Sequence, residues 1–126
     1  IKALVEYRLE QAKESLKASE LLLTAGMVRP SVSRAYYAMF YAVLALLATE
    51  ESSKHGGVIS LFDKEYIKPG IFPKDFSKWL HDAFNLRQRS DYMVPYIPSA
   101  EEAEQVGAGT DFLDAIRKQL EIEESI

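Results

Sequence analysis

The stretch that decides the fold is residues 35–48, Ala-Tyr-Tyr-Ala-Met-Phe-Tyr-Ala-Val-Leu-Ala-Leu-Leu-Ala, which contains no charged side chain. At the helical period this stretch, extended back to residue 32, carries one apolar stripe, Val32, Tyr36, Met39, Val43 and Leu47, and a second, Tyr37, Tyr41, Leu44 and Ala48. A helix that is apolar on most sides is buried among other elements. The run is shorter than the roughly 20 apolar residues needed to span a bilayer. We therefore expect a central core helix from Pro30 to about Thr49 and no membrane association.

Further segments on both sides of this stretch show helical patterning. The spacing predicts helices over residues 2–25, 58–67, 74–91 and 99–121, with Gly26 ending the first and a capping box of Ser99 and Glu102 opening the last. Residues 50–57 are predicted as a polar turn, and the proline-containing segments 68–73 and 93–99 as loops. The sequence thus predicts an all-α, up-and-down helical bundle of four long helices plus one short helix, in a single domain over residues 1–126.

Composition excludes several classes of function. The chain has 126 residues, no Cys and a net charge of −4, so a disulfide framework, a cysteine nucleophile and a thiolate metal site are excluded. Its two histidines, His55 and His81, lack a second histidine or a Glu-x-x-His partner, which argues against a zinc hydrolase or a di-iron bundle. We predict no metal and no cofactor, and we expect His81 to be a solvated surface residue. No signal-peptide pattern is present, so the expected location is the cytoplasm.

The charge is unevenly distributed along the chain. Residues 99–126 contain two basic and eight acidic side chains, whereas residues 1–98 are slightly basic. An anion-binding site is therefore expected among the first four helices, although the whole chain is acidic.

Two arginines interrupt the apolar stripes. Arg87 and Asp91 continue the face of the fourth helix that carries Phe76, Leu80 and Ala83, and Arg34 precedes Tyr37 on the central helix. A structural interpretation pairs Arg34 with Asp91 as a buried ion pair. A functional interpretation has Arg87, Arg89 and Arg34 contact a phosphate, with Tyr37 or Tyr92 as a stacking or hydrogen-bonding neighbour.

The packing of the fourth helix decides which residues meet. Arg34 lies near the start of the central helix and His55 just past its end, so at 1.5 Å per residue they are about 30 Å apart within one subunit. If the short third helix is only an excursion, Arg87 and Asp91 approach Arg34. If it is a full bundle member, Arg87 approaches His55. We expect the first arrangement, because the third helix is too short to span the bundle.

Three motifs carry a family resemblance. Ser-Arg-Ala-Tyr-Tyr-Ala-Met-Phe-Tyr at 33–41, Lys-His-Gly-Gly at 54–57 and Leu-Arg-Gln-Arg-Ser-Asp-Tyr at 86–92 resemble the small stand-alone HEPN-domain proteins of prokaryotes. The resemblance extends from about Leu4 to Leu120. It implies a helical bundle, usually a homodimer, often encoded beside a minimal nucleotidyltransferase as a toxin and antitoxin pair.

The resemblance also bears on activity. Active members are metal-independent ribonucleases that use an arginine and a histidine, with two copies of the pair meeting at the dimer cleft. The arginine corresponds to Arg87, but the positions expected for the histidine hold Tyr92, Met93 and Val94. Metal-free RNA cleavage needs a proton acceptor and a proton donor that titrate near neutrality, and tyrosine, with a pKa near 10, is a poor base.

Three hypotheses follow. The leading one is a HEPN-like homodimeric module that binds a nucleotide or RNA and works with a minimal nucleotidyltransferase. Its candidate ligand-binding residues are Arg87, Asp91, Tyr92, Arg34, Tyr37 and Arg89, with His55 second. The first alternative is a metal-independent endoribonuclease with Arg87 and Tyr92 as candidate catalytic residues, or with His55 from the other subunit. The second is a structural protein-interaction module without a ligand.

Overall fold

The structure of the protein, a computed structural model, describes residues 2–47, 55–92 and 97–124, apart from the side chains at 55, 56, 91, 92, 105 and 124. Its helices are α1 (Lys2–Thr24), α2 (Val28–Leu46), α3 (His55–Phe62), α4 (Lys74–Tyr92), α5 (Ala100–Val106) and α6 (Gly109–Glu124), with a π-helical turn at Asp63–Ile67. No strand occurs within these ranges, and the all-α prediction is confirmed. None of the described helices combines the length and the apolar character that crossing a membrane requires.

Helix α2 occupies the centre of the bundle. It packs against α1, α3, α4, α5 and α6, and its side chains Tyr36, Met39 and Val43 are at most 1% exposed. This confirms the prediction, made from its apolar character, that α2 is the central core helix. Truncating one such core side chain to alanine typically costs about 2–5 kcal/mol, so these residues contribute strongly to the stability of the bundle.

The turn between α1 and α2 is a Schellman motif. Gly26 adopts a φ of 78°, the Met27 N–H donates to the Leu22 carbonyl at 2.8 Å, and the Gly26 N–H donates to the Leu23 carbonyl at 3.0 Å. Glycine reaches this left-handed conformation without a steric penalty, so the predicted end of the first helix is confirmed.

Two buried serines join α1 to α2 further along the hairpin. The Ser19 hydroxyl donates to the Ser31 carbonyl at 2.9 Å, and the Ser31 hydroxyl donates to the Ser19 carbonyl at 2.8 Å. Both side chains are at most 6% exposed, and Ala12, Ser15 and Ala35 are also buried within the two helices. Small side chains allow the two helices to approach closely, and the reciprocal bonds fix their register.

Two predicted helix starts were wrong. Helix α2 begins at Val28, so Pro30 is its third residue; proline is tolerated there because the first N–H groups of a helix have no intrahelical partner. Residues 55–57, predicted as part of a turn, form the first turn of α3. That turn leads directly into the apolar residues Val58, Ile59 and Phe62, whose burial stabilises the short helix.

The last predicted helix is in fact two helices. Residues 107 and 108 separate α5 from α6, and the Gly107 N–H is shared between the carbonyls of Ala103 and Glu104, as at a helix end. Gly109 begins α6 so close to α1 that a Cβ atom there would lie 2.8 Å from Leu16 Cδ1. The break lets Val106 of α5 and Phe112 of α6 both enter the core. The capping box at Ser99 and Glu102 is confirmed.

Candidate anion-binding site

Arg34 of α2 and Arg87 of α4 converge on the ring of Tyr37. The guanidinium carbon of each arginine lies 5.1 Å from the centroid of that ring. The two cations are therefore separated by no more than twice this distance. All three side chains are partly exposed. The structure thus confirms the arrangement in which the fourth helix brings Arg87 near Arg34.

An aromatic wall, formed by the packed rings of Tyr36, Phe40 and Phe84, lies against the Arg87 side chain. Its guanidinium carbon also lies 5.7 Å from the ring centroid of Tyr36, which is fully buried. The Tyr36 ring centroid lies 5.7 Å from that of Phe40 and 5.7 Å from that of Phe84, which belongs to α4. The position of the Arg87 guanidinium is therefore set by core packing on two helices.

The Tyr36 hydroxyl has unusual acid–base chemistry. Burial raises the pKa of Tyr36 far above its ordinary value near 10, and the positive charge of Arg87 opposes this only in part. Tyr36 consequently stays neutral at physiological pH. Although it lies beside Arg87, it is not suited to accept a proton from an RNA hydroxyl.

Arg34 is not held in an ion pair with any carboxylate that the structure describes. Ion pairs between described side chains include Lys78–Asp82 and His81–Asp63. The expected partner of Arg34, Asp91, has its backbone at the end of α4, but its side chain lies outside the description. The same holds for Tyr92 and His55, so the predicted roles of these three residues stay predictions.

Arg89 does not join Arg34 and Arg87. Two residues along an α-helix correspond to about 200° of rotation, so Arg89 faces away from Arg87. It lines a groove between α4 and α5 together with Lys78, Trp79 and Glu102. The sequence hypothesis that grouped Arg89 with the other two arginines did not take this rotation into account.

Sequence reasoning missed two aromatic neighbours of the site. Tyr41 is one helical turn beyond Tyr37, partly exposed, with its ring centroid 5.7 Å from that of Tyr37. Phe84 of α4 contacts Tyr36. The four-residue spacing of Tyr37 and Tyr41 predicts that the two rings are neighbours on one face of α2. The contact of Phe84, in contrast, depends on tertiary packing.

His81 is exposed, as expected, but it has a specific partner. Its Nε2 atom lies 2.7 Å from Asp63 Oδ2, which ties α4 to the π-helical turn. No local sequence pattern indicates this contact, because the two residues belong to different elements. Within the described part of the chain, no group of three or more acidic or histidine side chains converges in a way that would hold a metal ion.

The fold and this site define an all-helical protein that presents arginines beside aromatic rings. Residues 5–119 match the HEPN domain, and the chain belongs to the HEPN domain family. It is 40% identical over 119 residues to the protein named "Putative toxin MJ0142" of Methanocaldococcus jannaschii, covering 92% of this chain and 81% of that protein. It is 35% identical over 122 residues to a UPF0332 protein of Thermotoga maritima, covering 94% of this chain and 92% of that protein.

Proposed function

We propose that this protein binds the phosphates of RNA or of a nucleotide through Arg34 and Arg87. The observation that carries the proposal is the convergence of the two guanidinium groups on the partly exposed ring of Tyr37. Guanidinium is suited to phosphate because its N–H groups match the geometry of two phosphate oxygens. Partial exposure leaves these groups accessible to a ligand.

The aromatic side chains favour a nucleic-acid ligand over a simple anion. Tyr41 lies beside Tyr37 on the same partly exposed stripe of α2. Exposed rings next to cationic groups are typical of proteins that bind single strands, in which bases stack on aromatic side chains. The acidic side chains are concentrated in residues 99–126, so the rest of the chain, which contains Arg34 and Arg87, is slightly basic.

The proposal includes a homodimer that acts together with a minimal nucleotidyltransferase in a toxin-antitoxin-type system. It is supported by the family resemblance and by the name of the relative from Methanocaldococcus jannaschii, which describes that protein as a toxin candidate. In such a dimer the Arg87 side chains of the two copies would face a common cleft.

We propose binding rather than cleavage as the activity. The family's catalytic histidine is replaced within Tyr92, Met93 and Val94, and the buried Tyr36 beside Arg87 stays neutral. Neither of the usual proton-transfer groups is thus supplied next to Arg87 by the described side chains.

The test is a titration of fluorescently labelled single-stranded RNA, followed by anisotropy, with wild type and Arg87→Ala. We expect Arg87→Ala to bind at least several-fold more weakly, while Lys118→Ala, which removes an exposed cation of α6, stays close to wild type. Titrations with a mononucleotide and with the purified nucleotidyltransferase run in parallel. If Arg87→Ala leaves all three affinities unchanged, the proposed role of Arg87 is wrong.

A further inference from the structure

Helix α1 has a second apolar face that does not point into the core. Its inner face packs through small side chains, of which Ala12 and Ser19 are buried. On another side of the same helix, Leu4, Tyr7 and Leu21 are 41%, 58% and 63% exposed. Large apolar side chains that share one exposed face mark a surface for a partner.

The outer face of α1 follows a heptad repeat. Its positions are separated by alternating steps of three and four residues, and all of them are exposed or partly exposed; they are Leu4, Tyr7, Gln11, Glu14, Ala18 and Leu21. This spacing is typical of helices that pair with another helix along a seam. The pattern therefore indicates a helix as the partner of α1.

The two polar residues at the centre of the repeat decide the orientation of the partner helix. In a parallel pair of α1 helices, each position of the seam meets its own copy, so that Glu14 would face Glu14 and the two carboxylates would repel each other. In an antiparallel pair, Gln11 of each copy faces Glu14 of the other. The amide oxygen of Gln11 accepts a hydrogen bond from Arg8 at 2.9 Å, so its NH₂ group is the part that can donate to a carboxylate.

The apolar positions match in the same antiparallel register. Leu4 of one copy meets Leu21 of the other, and Tyr7 meets Ala18, so a large ring faces a small side chain. Apolar contacts at both ends of the seam thus enclose a polar contact at its centre. A polar contact of this kind fixes the register of paired helices.

The charges beside the seam are also complementary to their own copy. Glu10 and Lys17 are both exposed, and each precedes a residue of the seam by one position. In an antiparallel pair, residues at this position of the repeat lie opposite each other. Glu10 of each copy therefore lies beside Lys17 of the other, and two-fold symmetry produces this opposite-charge contact twice.

We propose that α1 is a self-association surface, on which α1 of a second copy of this chain binds antiparallel about a two-fold axis between Gln11 and Glu14. A second copy is the occupant because the pattern of α1 is complementary to itself when reversed. The inference goes beyond the function proposed above, since α1 supplies none of the side chains of the anion-binding site.

The test is sedimentation velocity over a dilution series, with charge reversals at the seam. Glu10→Lys and Lys17→Glu should each raise the dissociation constant by about tenfold or more, because two attractive contacts become repulsive. An equimolar mixture of the two variants should restore association, since each cation then meets an anion across the seam. Leu21→Lys should also weaken association, whereas Ile122→Lys, at an exposed position of α6, serves as the matched control and should not. Circular dichroism checks that each variant is folded.

Three results would overturn the proposal. They are a wild type that sediments as a monomer at submillimolar concentration, charge reversals that keep the wild-type dissociation constant, and a mixture that associates no better than the single variants. Association that depends on Arg87 but not on Glu10 and Lys17 would assign the contact to the cleft and overturn the proposal as well. Loss of RNA binding in Arg87→Ala, with α1-dependent association intact, concerns only the anion-binding site.

Discussion

Arg34 on α2 and Arg87 on α4 share one aromatic ring, since each guanidinium carbon lies 5.1 Å from the centroid of Tyr37. Each cation is attracted to the negative face of the ring. A phosphate that contacts both guanidinium groups gains charge-assisted hydrogen bonds from each. This relationship is the physical basis for assigning the surface to an anionic ligand.

The ring of Tyr37, rather than its hydroxyl, is expected to hold the two arginines. Tyr37→Phe should bind RNA nearly as tightly as wild type. Tyr37→Leu should bind more weakly, because each cation–π contact contributes about 0.5–2 kcal/mol and both are lost. Anisotropy titrations of the two variants test this. Equal weakening in both would assign the effect to the hydroxyl and contradict the role of the ring.

Tyr36 predicts a loss of stability at alkaline pH. Its pKa is raised in the folded state, so above about pH 10 the unfolded chain ionises while the buried phenol does not, and this favours unfolding. The contribution of the neutral, buried phenol to the free energy of unfolding is fully present below about pH 10 and declines as pH rises above it. Urea unfolding at about pH 8 and about pH 11 should show a larger loss for wild type than for Tyr36→Phe. The same loss in both proteins would contradict the assignment.

The reciprocal bonds between Ser19 and Ser31 should stabilise the α1–α2 hairpin. Ser31→Ala and Ser19→Ala are each expected to lower the free energy of unfolding by about 1 kcal/mol, and the double variant by less than the sum. Ser60→Ala, at an exposed position of α3, serves as the control and should change little. A strictly additive double variant would show that the two hydroxyls act independently.

Gly26 should tolerate asparagine better than alanine. Because a Cβ atom there meets nothing within 4 Å, the expected loss is conformational and comes from the φ of 78°. Gly26→Ala should lower the free energy of unfolding by about 1–2 kcal/mol, and Gly26→Asn by less, since asparagine adopts this conformation more readily. Chemical denaturation measures both. If alanine were neutral, the Schellman turn would not be the helix end described.

The sequence predicts the central position of α2 because a helix that is apolar on most sides must be covered by other elements to exclude water. It also singles out Arg34 and Arg87 as candidate ligand-binding residues, since charges on apolar stripes are rare and informative. The break at Gly107 was not predicted, because the apolar spacing continues from Val106 to Leu113 across it. The Asp63–His81 contact and the aromatic wall of Tyr36, Phe40 and Phe84 depend on how helices pack, which local spacing does not encode.

The most direct test of the central claim is the salt dependence of single-stranded RNA binding by wild type and by the Arg34→Ala, Arg87→Ala double variant. Each phosphate contact contributes about 0.7 to the slope of log K against log salt concentration for a single strand. The double variant should therefore bind more weakly and show a slope shallower by about 1.4, whereas Lys118→Ala should retain the wild-type slope. A double variant with the affinity and slope of wild type would contradict the claim that Arg34 and Arg87 contact phosphate.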